Sequence, residues 1–242
     1  MSFCKNIEKI TESATSLLEP NSQVLQNNQF LEAMRFRHAC KIFDKTKKIP
    51  QNHLDIIIES GRLTPSSFGL EPTRLLIVRS DKIKQNLKPF CWNQDQITDS
   101  SEVIIYLSKI SDMAHTTNYA TQMFERKVGG AKPQEVRAKL KAYKDERYAG
   151  FLAKNGYVDS SSIYHWSAKQ AYLSASSMMN CAAFLGIDSC AIEGFDKDDV
   201  EKFLGLDKAK EQVALLICFG YRVSPPKHKS PRISFHNFAK IL

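Results

Sequence analysis

Three short stretches combine side chains and backbone suited to holding an anion or an electron-rich ring. In Arg37-His38-Ala39-Cys40-Lys41-Ile42-Phe43-Asp44, Arg37 and Lys41 stand four residues apart across an expected helix end. Cations placed there can bind a phosphate, or simply answer the negative end of the helix dipole at about 0.3–1 kcal/mol. Pro65-Ser66-Ser67-Phe68-Gly69-Leu70-Glu71-Pro72 sets small hydroxyl residues between two prolines. Such a loop can bring its backbone close to a planar ligand, or serve as a plain turn. Ala191-Ile192-Glu193-Gly194-Phe195-Asp196 puts glycine after an expected strand and before an expected helix. Its N–H groups can meet an electron-rich acceptor atom, and a simple helix start reads equally well.

The charge pattern adds a fourth element. The 242 residues carry a net charge of +8, and after Glu211 no Asp or Glu occurs, while Arg222, Lys227, Lys229, Arg232 and Lys240 do. Such a tail can cover phosphates of a nucleic acid or a bound nucleotide, or stay solvated. Duplex binding calls for aromatic interleaving or a helix-turn-helix pattern, and neither is present. The glycine-rich phosphate cradles GxGxxG and GxxxxGK[ST] are absent, so any phosphate must be held by cationic side chains. The six histidines show no HExxH or other ligand spacing, and no metal is expected. The six cysteines form no CxxC pair, which points to free thiols in a reducing compartment.

These residues need elements to position them. With 43% hydrophobic and 25% charged residues the composition is that of a globular protein. No apolar run reaches the roughly 18 residues of a membrane helix, and the N-terminus lacks a secretion signal, so a soluble, cytoplasmic protein is expected. Residues 1–29 read as a polar extension, with a short helix over Ile7, Ile10 and Leu17, and residues 30–242 as one domain. Helical spacing is expected from Phe30 to Arg37, then from Pro50 with Leu54, Ile57, Ile58 and Gly61 on one face. Strands are expected at Leu75–Val78, Val103–Leu107, Ile187–Ile192 and Val213–Phe219. Residues 111–155 read as charged helix broken near Gly129-Gly130. Ser160–Gly186 is a helix with small residues on several faces, and Asp196 caps a further helix reaching Leu204. Strands mixed with helices predict a layered fold of both.

In order along the chain, RHxCKxFD, the PSS loop, WxAKQxY (Trp166 to Tyr172), IEGFD and a basic C-terminus resemble the nitroreductase family of FMN enzymes. The resemblance covers about Phe30 to the C-terminus. It implies an α+β fold in which a mixed, mainly antiparallel β-sheet is flanked by helices, and an interlocked homodimer with flavin at the interface, its core expected at the small-residue helix Ser160–Gly186. It also implies that Arg37, Lys227 and Lys229 hold the FMN phosphate, with Lys229 and Arg232 as the alternative pair. By the same resemblance His38, Ala39 and Lys41 lie along the ribityl chain and pyrimidine edge. Pro65, Ser66 and Ser67 arrive from the partner subunit, Asn93 faces the pyrimidine, and the backbone of Glu193 and Gly194 lies beside N5.

The implied activity is electron transfer from NADH or NADPH through the flavin to nitroaromatic, quinone or related acceptors, in ping-pong order. Lys41, Glu193 and Gly194 tune the flavin, with no side chain assigned as acid or base. Reductive dehalogenation on the same scaffold is the alternative, and a nucleic-acid binder the remote one. Small molecules and a second copy are the expected partners, with neither nucleic acid nor membrane. Tyr119, Phe124 and Tyr148 are candidates for substrate contact or for core packing. Ala39, Gly69, Glu71, Thr73 and Gln96 depart from residues common in the family.

Overall fold

The computed structural model describes residues 22–128, 132–228 and 230–242. The expected helix over Ile7, Ile10 and Leu17, the Gly129-Gly130 break and Lys229 lie outside the described residues. Strands β1 (Thr73–Val78), β2 (Glu102–Lys109), β3 (Asp188–Ile192) and β4 (Glu211–Gly220) form one sheet in the order β1-β2-β4-β3. Every neighbouring pair of strands is antiparallel, and a single bridge between Ala39 and Ser189 runs parallel. Side chains alternate across the sheet. Val103, Ile105 and Leu107 enter one core, while Ile104 and Tyr106 enter the other. With both faces covered, β2 shows as an unbroken apolar run instead of an alternating one.

Helices flank this sheet. In chain order they are α1 (Ser22–Phe36), α2 (Gln51–Arg62), α3 (Asp81–Leu87), α4 (Gln96–Asp99) and α5 (Asn118–Glu125). Then come α6 (Pro133–Leu140), α7 (Ala149–Lys154), α8 (Ser160–Phe184), α9 (Lys197–Phe203) and α10 (Phe235–Phe238). α1 starts inside the stretch read as an extension. A π-helical segment, Lys141–Tyr148, joins α6 to α7. None of the helices among the described residues is long and apolar enough to cross a membrane.

The long helix α8 opens on a capping box. Asp159 accepts from Ser162 N at 2.8 Å, and Ser162 Oγ accepts from Asp159 N at 3.2 Å. Its small residues Ala168, Ala171, Ala175 and Ala182 pack with α2 against the chain's own sheet. A Cβ on Gly61 of α2 would meet Met178 Sδ at 2.5 Å and Ser174 Oγ at 2.9 Å, so the close approach of the helices is made within one chain. The outward face of α8 carries Tyr172, Leu173 and Phe184 instead.

Candidate functional site

The arm from Phe36 to Asp44 is laid against the first residues of β3 and the chain just after β4. Cys40 N donates to Ser189 O at 3.0 Å, Asp44 N to Tyr221 O at 2.8 Å, and Val223 N to Ile42 O at 3.2 Å. Cys40 and Phe43 point inward and are buried, which leaves Lys41 between them on the outside. Phe43 fits because residue 220 is glycine, where a Cβ would stand 2.9 Å from its ring. Lys41 reaches back along β3, with Nζ 3.8 Å from Cys190 Sγ. Burial pushes that thiol up and Lys41 draws it down.

Beside this arm is a cavity of about 460 Å3, lined by Arg35, Arg37, Ser230 and Arg232 together with Leu31, Glu32 and Met34. Of the tail cations, Arg232 joins Arg37 here and Lys227 does not. Arg35 is paired with Glu32 at 2.5 Å, whereas Arg37 and Arg232 have no ion pair among the described residues. Arg222, which the sequence presents as one more tail cation, is turned inward. Its Nε lies 3.0 Å from Asp188 Oδ2, and Asp188 is buried. His38, Cys40 and Asp188 bring atoms able to bind a metal within 4.8 Å of one another, a grouping invisible to a search for ligand spacing. Arg222 already engages the carboxylate in that group.

The end of β3 meets a second feature. Gly194 lies so close to Trp92 that a Cβ would stand 2.7 Å from the indole, and Gln94 Nε2 donates to Gly194 O at 2.7 Å. Trp92 Nε1 is 3.3 Å from Asp196 Oδ1. Trp92 and Asn93 both adopt left-handed backbone, φ +52° and +54°, uncommon for non-glycine residues; the Trp92 indole is held by the contacts above, and Asn93 N donates to Lys88 O at 3.1 Å. Tyr172 of α8 donates to Glu193 Oε1 at 2.5 Å. Burial and Glu193 together push the Tyr172 hydroxyl up. Asn93 and Glu193 are exposed, while Gln96 is buried. Sequence reasoning passed over Trp92, Gln94 and Asp188, and read Arg222 only as a tail cation. The only signal was the adjacency of Trp92 and Gln94 to Asn93.

The PSS loop stands apart. Ser67 N donates to Gln170 Oε1 at 2.9 Å, so the glutamine of the WxAKQxY stretch holds the loop, and Ser66 Oγ accepts from Glu71 N at 2.9 Å. Phe68, Gly69 and Glu71 all have positive φ. Pro65 and Ser66 line a cavity of about 240 Å3 with Thr64, Arg74 and Gln170, which shares no lining residue with the arginine cavity. Within one chain the arm meets the first residues of β3 and shares a cavity with Arg232 of the tail, while the loop lines a separate cavity. Phe124 and Tyr148 are packed with Trp166 in a third core cluster and Tyr148 donates to Met113 O, so these two aromatics serve the core. Tyr119 donates to Leu70 O at 2.8 Å.

Known proteins share this fold. The chain is 36% identical over 211 residues to a Staphylococcus epidermidis protein whose provisional name is NAD(P)H nitroreductase, covering 85% of this chain and 93% of that one. Among solved structures, a nitroreductase-like protein of Bacillus subtilis superposes with a TM-score of 0.76 at 22% identity, over 89% of this chain and all of that one. One from Exiguobacterium sibiricum, solved in complex with FMN, gives 0.71 at 25% identity, over 88% of this chain and 97% of that one. The sequence profile of the nitroreductase family matches residues 34–221, more than half of the chain, and the chain belongs to that family.

Proposed function

We propose that the protein is an FMN-dependent NAD(P)H oxidoreductase whose arginine cavity holds the cofactor phosphate. The observation that carries this reading is the meeting of Arg37 and Arg232, from opposite ends of the chain, around one cavity with no ion pair to either among the described residues. FMN is dianionic at its phosphate, and guanidinium groups bind phosphate through paired charge-assisted hydrogen bonds. Bound there, FMN supplies hydride acceptance from NADH or NADPH at N5 and delivery to a nitroaromatic, quinone or related acceptor in ping-pong order.

The residues present fit that group. Arg37 and Arg232 take the phosphate, with Lys227 and Lys229 as further cations of the same tail. His38 and Ala39 follow along the ribityl chain. Lys41, fixed over β3 by its neighbours Cys40 and Phe43, places a cation where negative charge develops on the pyrimidine side. Asn93 hydrogen-bonds the same edge. Gly194 lets the chain run flush against Trp92, so the Glu193–Gly194 backbone can lie against a flat ring. Pro65, Ser66 and Ser67 then come from a second copy, in keeping with their separate cavity. The exposed Leu173 and Phe184 of α8, with Ile56 and Leu63 on or beside α2, supply apolar surface for that homodimer. Five free thiols among the described cysteines suit a reducing cytoplasm.

The purified protein is therefore expected to be yellow, or to turn yellow and quench flavin fluorescence when FMN is added. A colourless preparation that takes up no FMN defeats the proposal. Steady-state oxidation of NADH and NADPH against nitrofurazone, menadione and a halotyrosine then identifies the acceptor class.

A further inference from the structure

Asp188 stands at the first position of β3, 3% exposed, and has no part in the flavin contacts proposed for its neighbours. Its Oδ2 accepts from Arg222 N at 2.9 Å and from Arg222 Nε at 3.0 Å. Arg222 Nη2 lies 2.5 Å from Oδ1, so the guanidinium faces both carboxylate oxygens and leaves Oδ1 a further lone pair. Facing that oxygen at 3.6 Å, beyond hydrogen-bond distance, is the buried His38 Nδ1. Arg222 continues to the arm itself, donating to Phe36 O at 3.3 Å and lying 4.0 Å over the Phe36 ring. One buried carboxylate thus anchors the segment that carries Arg37 and Lys41, and faces its imidazole.

Left alone, His38 sits below its ordinary value of 6.5, first through burial and then through Arg222, with Arg37 adding to the effect and Asp188 and the Phe36 carbonyl opposing it. These are the charged groups facing it: Arg37 on its own segment, Asp188 on β3 and Arg222 after β4. Cys40, pushed up to about 11 by burial, stays neutral at pH 7. A dianion beside Arg37 reverses this balance, because it screens the two guanidinium groups and favours the imidazolium. Protonated Nδ1 can then close on Oδ1 as a charge-assisted hydrogen bond.

We infer that Asp188 is a positioning residue for cofactor binding: it aims His38, and the imidazole takes a proton from solvent when a phosphate group settles beside Arg37. This rests on the reading of Arg37 as a phosphate contact. The test measures FMN affinity by fluorescence quenching from pH 6.5 to 8.5 for the unaltered protein, H38Q, D188N and the double variant D188N/R222M, each with a thermal melt. Ionisation of the FMN phosphate is common to all and cancels in the comparison. Relative to H38Q, the affinity of the unaltered protein is expected to fall with rising pH, approaching tenfold per pH unit where a full proton is taken up. D188N flattens that slope. Because a lone buried Arg222 can unfold D188N, the double variant, which removes both charges, decides the matter if D188N melts below the assay temperature. Parallel slopes in the unaltered protein and H38Q overturn the inference, as does a wild-type slope in a folded Asp188 variant. Failure to bind FMN at all removes the phosphate site and the proton coupling together, whereas tight binding with no His38-dependent slope removes only the coupling.

Discussion

At the scale of single residues, function turns on which cations are left free. Arg35, Arg79 and Arg222 are engaged by Glu32, Glu102 and Asp188, while Arg37, Lys41 and Arg232 have no ion pair among the described residues. Replacing Lys41 with Gln removes the charge that the proposed site sets on the pyrimidine side. The expected outcome is a more negative flavin potential in dye equilibration, and a kcat for NAD(P)H oxidation lower by roughly tenfold or more, the scale of one lost charge-stabilising donor. An unchanged potential would contradict the role given to Lys41. The thiols give a second prediction. Burial pushes Cys40 to about 11 and Cys91 to about 12, with Cys190 also raised, from an ordinary thiol value of 9.0. Folded-state values above the unfolded one mean the stabilisation is whole below pH 9 and is lost as pH rises towards the folded values. At pH 8 these thiols should resist maleimide until the protein unfolds, while the partly exposed Cys181 reacts first among the described cysteines, as peptide mass spectrometry would show. The Arg37–Lys41 motif was plain in the sequence because its members are neighbours. Arg222 was read as a tail cation because Asp188, the partner that turns it inward, lies 34 residues away.

At the scale of elements, the crossing of α2 and α8 sets the distance between the PSS loop and the sheet. G61A pushes a methyl into Met178 and Ser174 and should cost about 1–3 kcal/mol by overpacking, a drop of several degrees in melting temperature. G150A is the control, because nothing lies within 4 Å of its new Cβ and helical backbone gains from alanine. Equal melting temperatures for the two variants would show that the crossing tolerates slack. The strands were readable because a sheet covered on both faces leaves unbroken apolar runs between turn residues. The left-handed backbone at Phe68, Glu71, Trp92 and Asn93 was not, since none is the glycine that would announce it. The π-helical segment Lys141–Tyr148 was likewise hidden, for its sequence looks like ordinary helix.

At the scale of the whole molecule, a single chain splits its proposed flavin-facing parts between two cavities with no shared wall. A second copy is what would bring the two parts together on one flavin. Sedimentation should give a dimer, and L173E, which puts a charge on the outward face of α8, should shift it towards monomer and weaken FMN binding in step. A monomeric protein with full FMN affinity would refute the shared site. The small residues of α8 suggested in the sequence that this helix forms the subunit contact. They are spent on packing within the chain, and the outward surface is made by larger side chains whose exposure no periodicity announces.

The proposed function stands or falls on cations from both ends of the polypeptide converging on one phosphate. Its most direct test is an FMN titration, followed by fluorescence quenching at two salt concentrations, of the unaltered protein and the R37A/R232A variant. Convergence predicts saturable binding that weakens with salt, and an affinity lower in the variant by at least roughly ten- to hundredfold, since each charged hydrogen bond contributes about 1.5–3 kcal/mol. Equal affinity in the two proteins, with no dependence on salt, would contradict it.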